Sequence, residues 1–239
     1  MKTQGGTLAF FTCLAAAAAL VLAACAPTAS ATGRGLSGAP LSGPSVYHAV
    51  WRSILCLGET GDCIGTGWVI EPGLAVTAQH VVGTKVTVNI HTAFSGPFPA
   101  TVIGVDKQHD IALLAFNQAL VNAPALPTRS LDLLSELGGP LYALGYGGAE
   151  TKRDGGAGAP SVRSGVFSQM PDLGARLGAN IKTDARGVPG DSGGPLVDSQ
   201  GNVVGMHRSK DPDGVYSYAV PVEKIREVLP RLKAGVVIP

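Results

Sequence analysis

Short apolar runs separated by Gly, Pro and Asp recur along the chain from about residue 53 to residue 220. Most of these runs contain β-branched residues and are too brief for helices, so the pattern predicts strands. They fall into two sets of six, with a Pro- and Ala-bearing connection at 117–135 between the sets. The predicted strands are 53–57, 64–70, 74–78, 85–91, 100–105 and 110–115 in the first set, and 140–146, 162–168, 180–183, 194–197, 202–207 and 215–220 in the second.

The last segment has a different period. Apolar residues recur at helical spacing through 222–233, which predicts a C-terminal helix, although Pro230 would kink or end it. Two sets of six strands followed by a helix favour an all-β fold of two packed six-stranded antiparallel β-barrels, at about 46–120 and 136–220. A β-sandwich would give a similar string of strands.

Composition and charge narrow the class of protein. The 239 residues are 45% hydrophobic and 15% charged, with 33 glycines and 17 prolines, which argues against disorder, collagen and coiled coil. The formal net charge is +1 and no run of like charges occurs, so we expect no nucleic-acid surface and no polybasic membrane patch. We also expect neither a metal nor an organic cofactor.

A nearly uncharged apolar stretch near the N-terminus has the form of an export signal. It ends in Leu-Ala-Ala-Cys at 22–25, which resembles the lipobox of bacterial lipoproteins, whose Cys becomes the lipidated first residue. The resemblance implies a signal peptide at 1–24, lipid on Cys25 and a flexible tether at 25–45 that holds the protein at a membrane of the cell envelope. Cleavage after the small residues at 29–31, giving a soluble secreted protein, and an uncleaved anchor are the alternatives.

Loss of the export signal and lipidation of Cys25 leave Cys56 and Cys63. These two residues flank a turn-like stretch at 58–62 between two apolar runs, so a hairpin would bring them face to face. In an oxidising compartment this predicts a structural disulfide. A zinc site is weakly indicated, because no second Cys pair or close His pair accompanies them.

The stretch Gly-Asp-Ser-Gly-Gly-Pro-Leu at 190–196 is the most informative part of the chain. It surrounds Ser192 with small residues that leave the hydroxyl accessible and neighbouring amides free to point outward. It also satisfies the G-x-S-x-G pattern of α/β-hydrolases, in which the acid and then the His follow the nucleophile. Only His207 follows Ser192, and no strand–helix alternation surrounds the motif, so that fold is disfavoured.

Two further motifs precede the serine. Thr-Ala-Gln-His places His80 at the end of an apolar run, and Asp-Ile-Ala-Leu-Leu begins another run with Asp110. In the order His, Asp, Ser, the three motifs resemble the trypsin-like serine proteases of chymotrypsin fold, over residues 46 to about 230.

Within that superfamily the chain resembles bacterial HtrA/Deg-type protease domains. The similarity lies in Gly-Thr-Gly-Trp-Val-Ile at 65–70, in His-Val-Val at 80–82 and in Thr-Asp-Ala at 183–185. The resemblance implies a serine protease domain over 46–239. Because the chain ends at Pro239, directly after the predicted helix, we expect no PDZ domain of the kind HtrA proteins carry.

The resemblance also implies a role for each motif residue. Ser192 is the nucleophile, His80 accepts its proton and later protonates the leaving amine, and Asp110 holds the imidazole in one tautomer. The backbone amides of Gly190 and Ser192 form the oxyanion hole.

Asp191 precedes the nucleophile. In the family, the Asp at this place often shapes the oxyanion loop through an internal salt bridge, frequently to a freed N-terminus. A lipid-tethered N-terminus does not readily supply that charge, so Arg163 or Arg186 is a candidate partner, and a solvent-exposed Asp191 is the alternative.

The resemblance places Arg186, His207, Arg208 and Gly214 around the primary specificity pocket. A His at the place of His207 occurs in glutamyl endopeptidases, so an acidic substrate side chain is one expectation. A small apolar pocket, as in many HtrA proteases, stays open. Trypsin-like specificity would need an Asp where this chain has Arg186, so cleavage after Lys or Arg is not expected.

The sequence therefore predicts a serine endopeptidase that hydrolyses extracytoplasmic proteins or peptides through an acyl-enzyme on Ser192. A catalytically silent or latent protease-fold binding module is the main alternative. An esterase is a third possibility, because the same residues perform any acyl transfer.

Overall fold

The computed structural model of the protein describes residues 41–59, 62–132, 135–147, 157–169 and 180–239. The predicted signal peptide, the lipidation site at Cys25 and the tether as far as residue 40 lie outside the described residues. The helices are α1 (Gly43–Val50), α2 (Gln79–Val82), α3 (Gln118–Val121) and α4 (Val222–Lys233). The strands are β1 (Ile54–Leu57), β2 (Gly65–Glu71), β3 (Leu74–Ala78), β4 (Thr87–His91), β5 (Phe98–Asp106), β6 (Ile111–Phe116), β7 (Pro140–Gly145), β8 (Ser161–Gln169), β9 (Ile181–Thr183), β10 (Pro195–Asp198), β11 (Val203–Lys210), β12 (Ser217–Pro221) and β13 (Val237–Ile238).

Strands β1 to β6 form the first barrel. They pair in the order β5-β4-β1-β2-β3-β6, and β6 pairs back onto β5, so the sheet closes. Closure leaves no free edge among these six strands. Their inward side chains form one core with Trp68 and Leu113 fully buried, and β13 adds to β5 in parallel.

Strands β7 to β12 form the second barrel, in the closed order β10-β11-β12-β9-β8-β7. Its interior is a second apolar cluster that includes Leu141, Phe167 and Leu196. All pairings in this barrel are antiparallel. The predicted fold of two six-stranded antiparallel barrels is confirmed.

Helix α4 packs its apolar face on the barrels. Val222, Ile225 and Leu232 are fully buried along one stripe, as the helical spacing predicts. The helix approaches Gly104 so closely that a Cβ there would lie 2.4 Å from the Leu232 carbonyl oxygen. The helix continues through Pro230 to Lys233, so this proline, which lies in the last turn, does not end it.

Several short elements differ from the sequence prediction. Helix α1 begins at Gly43, inside the segment that the sequence predicts as a tether. It forms there because a proline lies in its first turn and because Val46 and Val50 bury their side chains. Helices α2 and α3 contain four residues each, which is too short to produce a helical period. Among the described residues, no helix is both long enough and apolar enough to cross a membrane.

Candidate active site

His80 and Asp110 meet at one end of the first barrel. His80 is the second residue of α2, directly after β3, and Asp110 lies in the turn before β6. The backbone N–H of His80 donates to Asp110 Oδ1, and His80 Nδ1 donates to Asp110 Oδ2, both at 2.8 Å. Asp110 has φ +60, a left-handed conformation that Asp tolerates better than most residues, and its carbonyl accepts from the amide of Gln79.

The pair has an asymmetric environment. The Asp110 side chain is 9% exposed, whereas that of His80 is 50% exposed. The hydrogen bond that His80 donates to Asp110 raises the pKa of His80 above its usual 6.5, while burial and the charge of Arg208 act in the opposite direction. An imidazole fixed by a carboxylate on one nitrogen keeps its other nitrogen available for proton transfer.

Ser192 lies on the loop between β9 and β10, which packs against the first barrel. Thr66 connects the two parts: its amide donates to the Ser192 carbonyl at 2.8 Å, and its hydroxyl donates to the Gly190 carbonyl at 2.6 Å. A Cβ on Gly193 would lie 2.7 Å from the amide nitrogen of Ala78, two residues before His80. The structure therefore brings the Ser192 segment against the end of β3, two residues before His80. The role of Thr66 was not predicted, although it lies in the Gly-Thr-Gly-Trp motif.

Two backbone amides of the Ser192 loop donate no hydrogen bond to the described part of the chain. Among the hydrogen bonds of the described residues, none has the N–H of Gly190 or Ser192 as donor. Gly190 has φ +101, and a Cβ there would lie 3.0 Å from the Cα of Gly147, so glycine suits this position. Free N–H groups on a fixed loop are available to bind an oxyanion.

Asp191 is buried, so the exposed alternative is wrong. Arg163 on β8 donates from Nη1 to Asp191 Oδ2 at 2.6 Å, while Arg186 is exposed. The amide of Gly147 donates to Asp191 Oδ1 at 2.8 Å, and the amide of Val188 donates to Oδ2 at 2.9 Å. The loop that carries Ser192 is thus held to the second barrel by one buried carboxylate.

His207 is buried beneath this loop. Its carbonyl accepts from the amide of Gly193 at 2.8 Å, which places it next to Ser192. Neither ring nitrogen has a hydrogen-bond partner among the residues that the structure describes, and a Cβ on Gly187 would lie 1.9 Å from its Nε2. Burial lowers the pKa of His207 to about 4, so the ring is neutral at pH 7.

The structure also places the other three residues predicted for the pocket. Arg186 is exposed, and Gly214 lies between β11 and β12 with φ +66. Arg208 directs its guanidinium to the His80–Asp110 pair, with Nε 3.6 Å from Asp110 Oδ2. Of the four predicted residues, His207 is the one with buried side-chain nitrogens that lack a hydrogen-bond partner in the described part of the chain.

A disulfide joins Cys56 on β1 to Cys63, with their Cα atoms 5.4 Å apart. It closes the hairpin between β1 and β2. Within the described parts of the chain, no group of three or more His, Cys, Asp or Glu side chains is placed to hold a metal ion.

Comparisons with known sequences agree with this geometry. The model of the trypsin-like peptidase domain matches residues 65–206. The chain is 31% identical over 195 residues to the serine protease HTRA1B of Danio rerio, and 30% identical over 195 residues to the serine protease HTRA4 of Mus musculus. Each match covers 78% of this chain and 38% of the relative, so the chain spans well under half the length of these relatives.

Solved structures show the same architecture. A serine endoprotease from Yersinia pestis has a TM-score of 0.67 at 19% identity, covering 82% of this chain and 68% of that chain. An inactive mutant form of Rv3671c from M. tuberculosis H37Rv has a TM-score of 0.65 at 24% identity, covering 82% of this chain and 96% of that chain. At these identities, the likeness shows a shared fold.

Proposed function

Since the chain belongs to the family of trypsin-like peptidase domains, we propose that it is a serine endopeptidase whose nucleophile is Ser192. The observation that carries the proposal is the contact between His80 and Asp110 beside the Ser192 loop. A serine hydroxyl is a weak nucleophile until a base accepts its proton, and an imidazole oriented by a carboxylate is such a base.

The proposed reaction has two stages. Ser192 Oγ attacks the carbonyl carbon of the scissile peptide as His80 Nε2 takes the hydroxyl proton; the C–N bond then breaks, and His80 gives that proton to the leaving amine. Water next attacks the acyl-enzyme with His80 as base, releasing the carboxylic acid and restoring Ser192. Asp110 accepts the hydrogen bond from His80 Nδ1 and stabilises the imidazolium in both stages.

The free amides of Gly190 and Ser192 support an oxyanion hole. Negative charge develops on the substrate carbonyl oxygen during attack, and preorganised N–H donors stabilise it. Arg163 and Asp191 contribute by fixing the loop that carries both amides. This arrangement favours a competent enzyme over a silent binding module, in which the oxyanion loop would be collapsed.

For the substrate, we propose that His207 contacts the side chain on the acyl side of the scissile bond. Its unpartnered ring nitrogens support this, because a buried polar group without a partner is unfavourable and a substrate oxygen would satisfy it. Acidic side chains suit such a site, and a small apolar pocket with His207 as wall is the second candidate. His207→Ala should reduce cleavage after Glu relative to cleavage after Ala, and an unchanged preference would exclude the acidic pocket.

We also propose that the protein is exported and held at a membrane by lipid on Cys25. The support is the apolar stretch that ends in the motif at 22–25, outside the described residues. Fractionation of bacteria that express wild type and Cys25→Ser tests it: the variant should leave the membrane fraction or stay unprocessed. Unaltered membrane retention without lipid incorporation would favour an uncleaved anchor.

Digestion of a denatured protein substrate tests the endopeptidase proposal. Mass spectrometry should find internal cleavage by wild type and none by Ser192→Ala. Turnover of small esters without any peptide cleavage would favour an esterase. A folded wild type that cleaves neither would favour the binding module.

A further inference from the structure

Arg208 lies at an irregularity of β11. The strand pairs with β12 as far as His207 and resumes at Ser209, with a register shift between them, so Arg208 is the extra residue of a β-bulge. A bulge bends the strand and re-aims a side chain relative to the regular pleat. The Arg208 side chain reaches from the second barrel to Asp110, which belongs to the first.

The contact involves two groups that water screens weakly. Arg208 Nε lies 3.6 Å from Asp110 Oδ2, and the two side chains are 20% and 9% exposed. Within the described residues, the hydrogen bonds to the Asp110 carboxylate come from the backbone N–H and the ring of His80. Arg208 adds a charged contact to the carboxylate from the second barrel, on a different segment from His80.

We propose that Arg208 is a positioning residue that holds Asp110 against His80 and belongs to the triad side of the site rather than to the substrate pocket. The inference rests on the proposed function, because it assigns a role in the chemistry of His80 and Ser192. It also reassigns a side chain that the sequence alone placed in the specificity pocket.

The positive charge of Arg208 affects the pKa of His80, which can be measured. The charged and titratable groups that face His80 are Asp110, Arg208 and His207, and His207 is neutral at pH 7 because burial lowers its pKa to about 4. Asp110 raises the pKa of His80 and Arg208 lowers it. Removal of the Arg208 charge should therefore raise the pKa of His80, and the base should form at a higher pH.

The test uses the full chain and the rate of labelling by a fluorophosphonate probe, followed from pH 5 to pH 9, so no natural substrate is required. Three variants are compared: Arg208→Gln removes the charge, Arg208→Lys keeps it, and Lys210→Gln removes a charge from an exposed position two residues along the same strand. Circular dichroism and thermal unfolding verify that each variant is folded.

Arg208→Gln should lower the labelling rate at pH 7 by about 10- to 100-fold, the effect of a misplacement of about 1 Å in a catalytic group. It should also move the midpoint of the acid limb to higher pH. Arg208→Lys should keep the wild-type midpoint and recover part of the rate, and Lys210→Gln should match wild type in both.

Three outcomes would overturn the proposal. The first is an unchanged rate and midpoint in Arg208→Gln. The other two are a shift of the midpoint in Lys210→Gln, or in Arg208→Lys, that is as large as the shift in Arg208→Gln. If wild type itself is not labelled, the proposed function fails separately. The pKa of His80, measured by NMR in wild type and in Arg208→Gln, then still decides whether Arg208 acts on the imidazole.

Discussion

The ion pair between Arg163 and Asp191 gives the sharpest prediction about the Ser192 loop. The perturbation is Arg163→Met, which keeps an unbranched apolar side chain on β8 and removes the guanidinium that contacts Asp191 at 2.6 Å. The Asp191 side chain is 2% exposed, so the variant leaves a buried carboxylate whose remaining partners, among the described residues, are two backbone amides.

Removing one partner of a buried ion pair typically destabilises a protein by about 3–5 kcal/mol. The two amides that still bind Asp191 favour the lower end, about 3 kcal/mol. For a domain of this size, that corresponds to a fall in melting temperature of about 6–12 °C. A loop that no longer fixes the amides of Gly190 and Ser192 should also lose about 100- to 1,000-fold in labelling rate, the effect of one lost oxyanion donor.

The assay combines thermal unfolding with fluorophosphonate labelling well below the melting temperature. The double variant Arg163→Met/Asp191→Asn should recover stability, because it also removes the orphaned charge, and Arg231→Met controls for loss of an exposed arginine. Wild-type stability and labelling in Arg163→Met would show that the ion pair neither stabilises the protein nor fixes the Ser192 loop. A double variant as unstable as the single one would show that lost packing, and not the orphaned carboxylate, causes the effect.

Three further predictions concern stability and pH. Replacing Cys56 and Cys63 by Ser should lower the free energy of unfolding by about 2–3 kcal/mol in urea denaturation, as expected for so short a closed loop, and reduced wild type should match the variant. The acid limb of kcat/KM should have its midpoint above pH 6.5, because the Asp110 hydrogen bond raises the pKa of His80; a midpoint below 6.5 in a pH–rate profile would contradict this. Because the folded pKa of His207 is about 4 and the usual value is 6.5, the unfolded state binds more protons between these pH values, so stability should fall as the pH drops through that window. Urea midpoints measured from pH 7 to pH 4 should follow this trend in wild type and change less in His207→Leu.

The sequence predicted the barrel strands well because turn residues separate them. Gly, Pro or Asp follows many of the apolar runs, and the predicted strand at 74–78 and helix at 222–233 have the bounds that the structure gives to β3 and α4. Helices of four residues and the two-residue β13 are too short to leave a period, and their places depend on contacts with distant strands.

Some features of the candidate site could be predicted from the sequence and others could not. The order of His80, Asp110 and Ser192 is readable because each lies in a local motif. The partner of Asp191 depends on how β8 pairs with β7, and the direction of the Arg208 side chain depends on a bulge in β11. Neither the pairing register nor the bulge can be read from local composition. The sequence therefore predicted two candidate arginines as the partner of Asp191, and it placed Arg208 in the specificity pocket.

The central claim is that His80 and Asp110 activate Ser192, and labelling by a fluorophosphonate probe tests it most directly. Residues 26–239 are prepared as a soluble protein beside the Ser192→Ala variant, with thermal unfolding to show that both are folded. We expect covalent labelling of the wild-type protein that is absent in Ser192→Ala, because loss of a triad member typically removes about 10,000-fold or more of the rate. A folded wild-type protein that takes up no probe, or equal labelling of the Ser192→Ala variant, would contradict it.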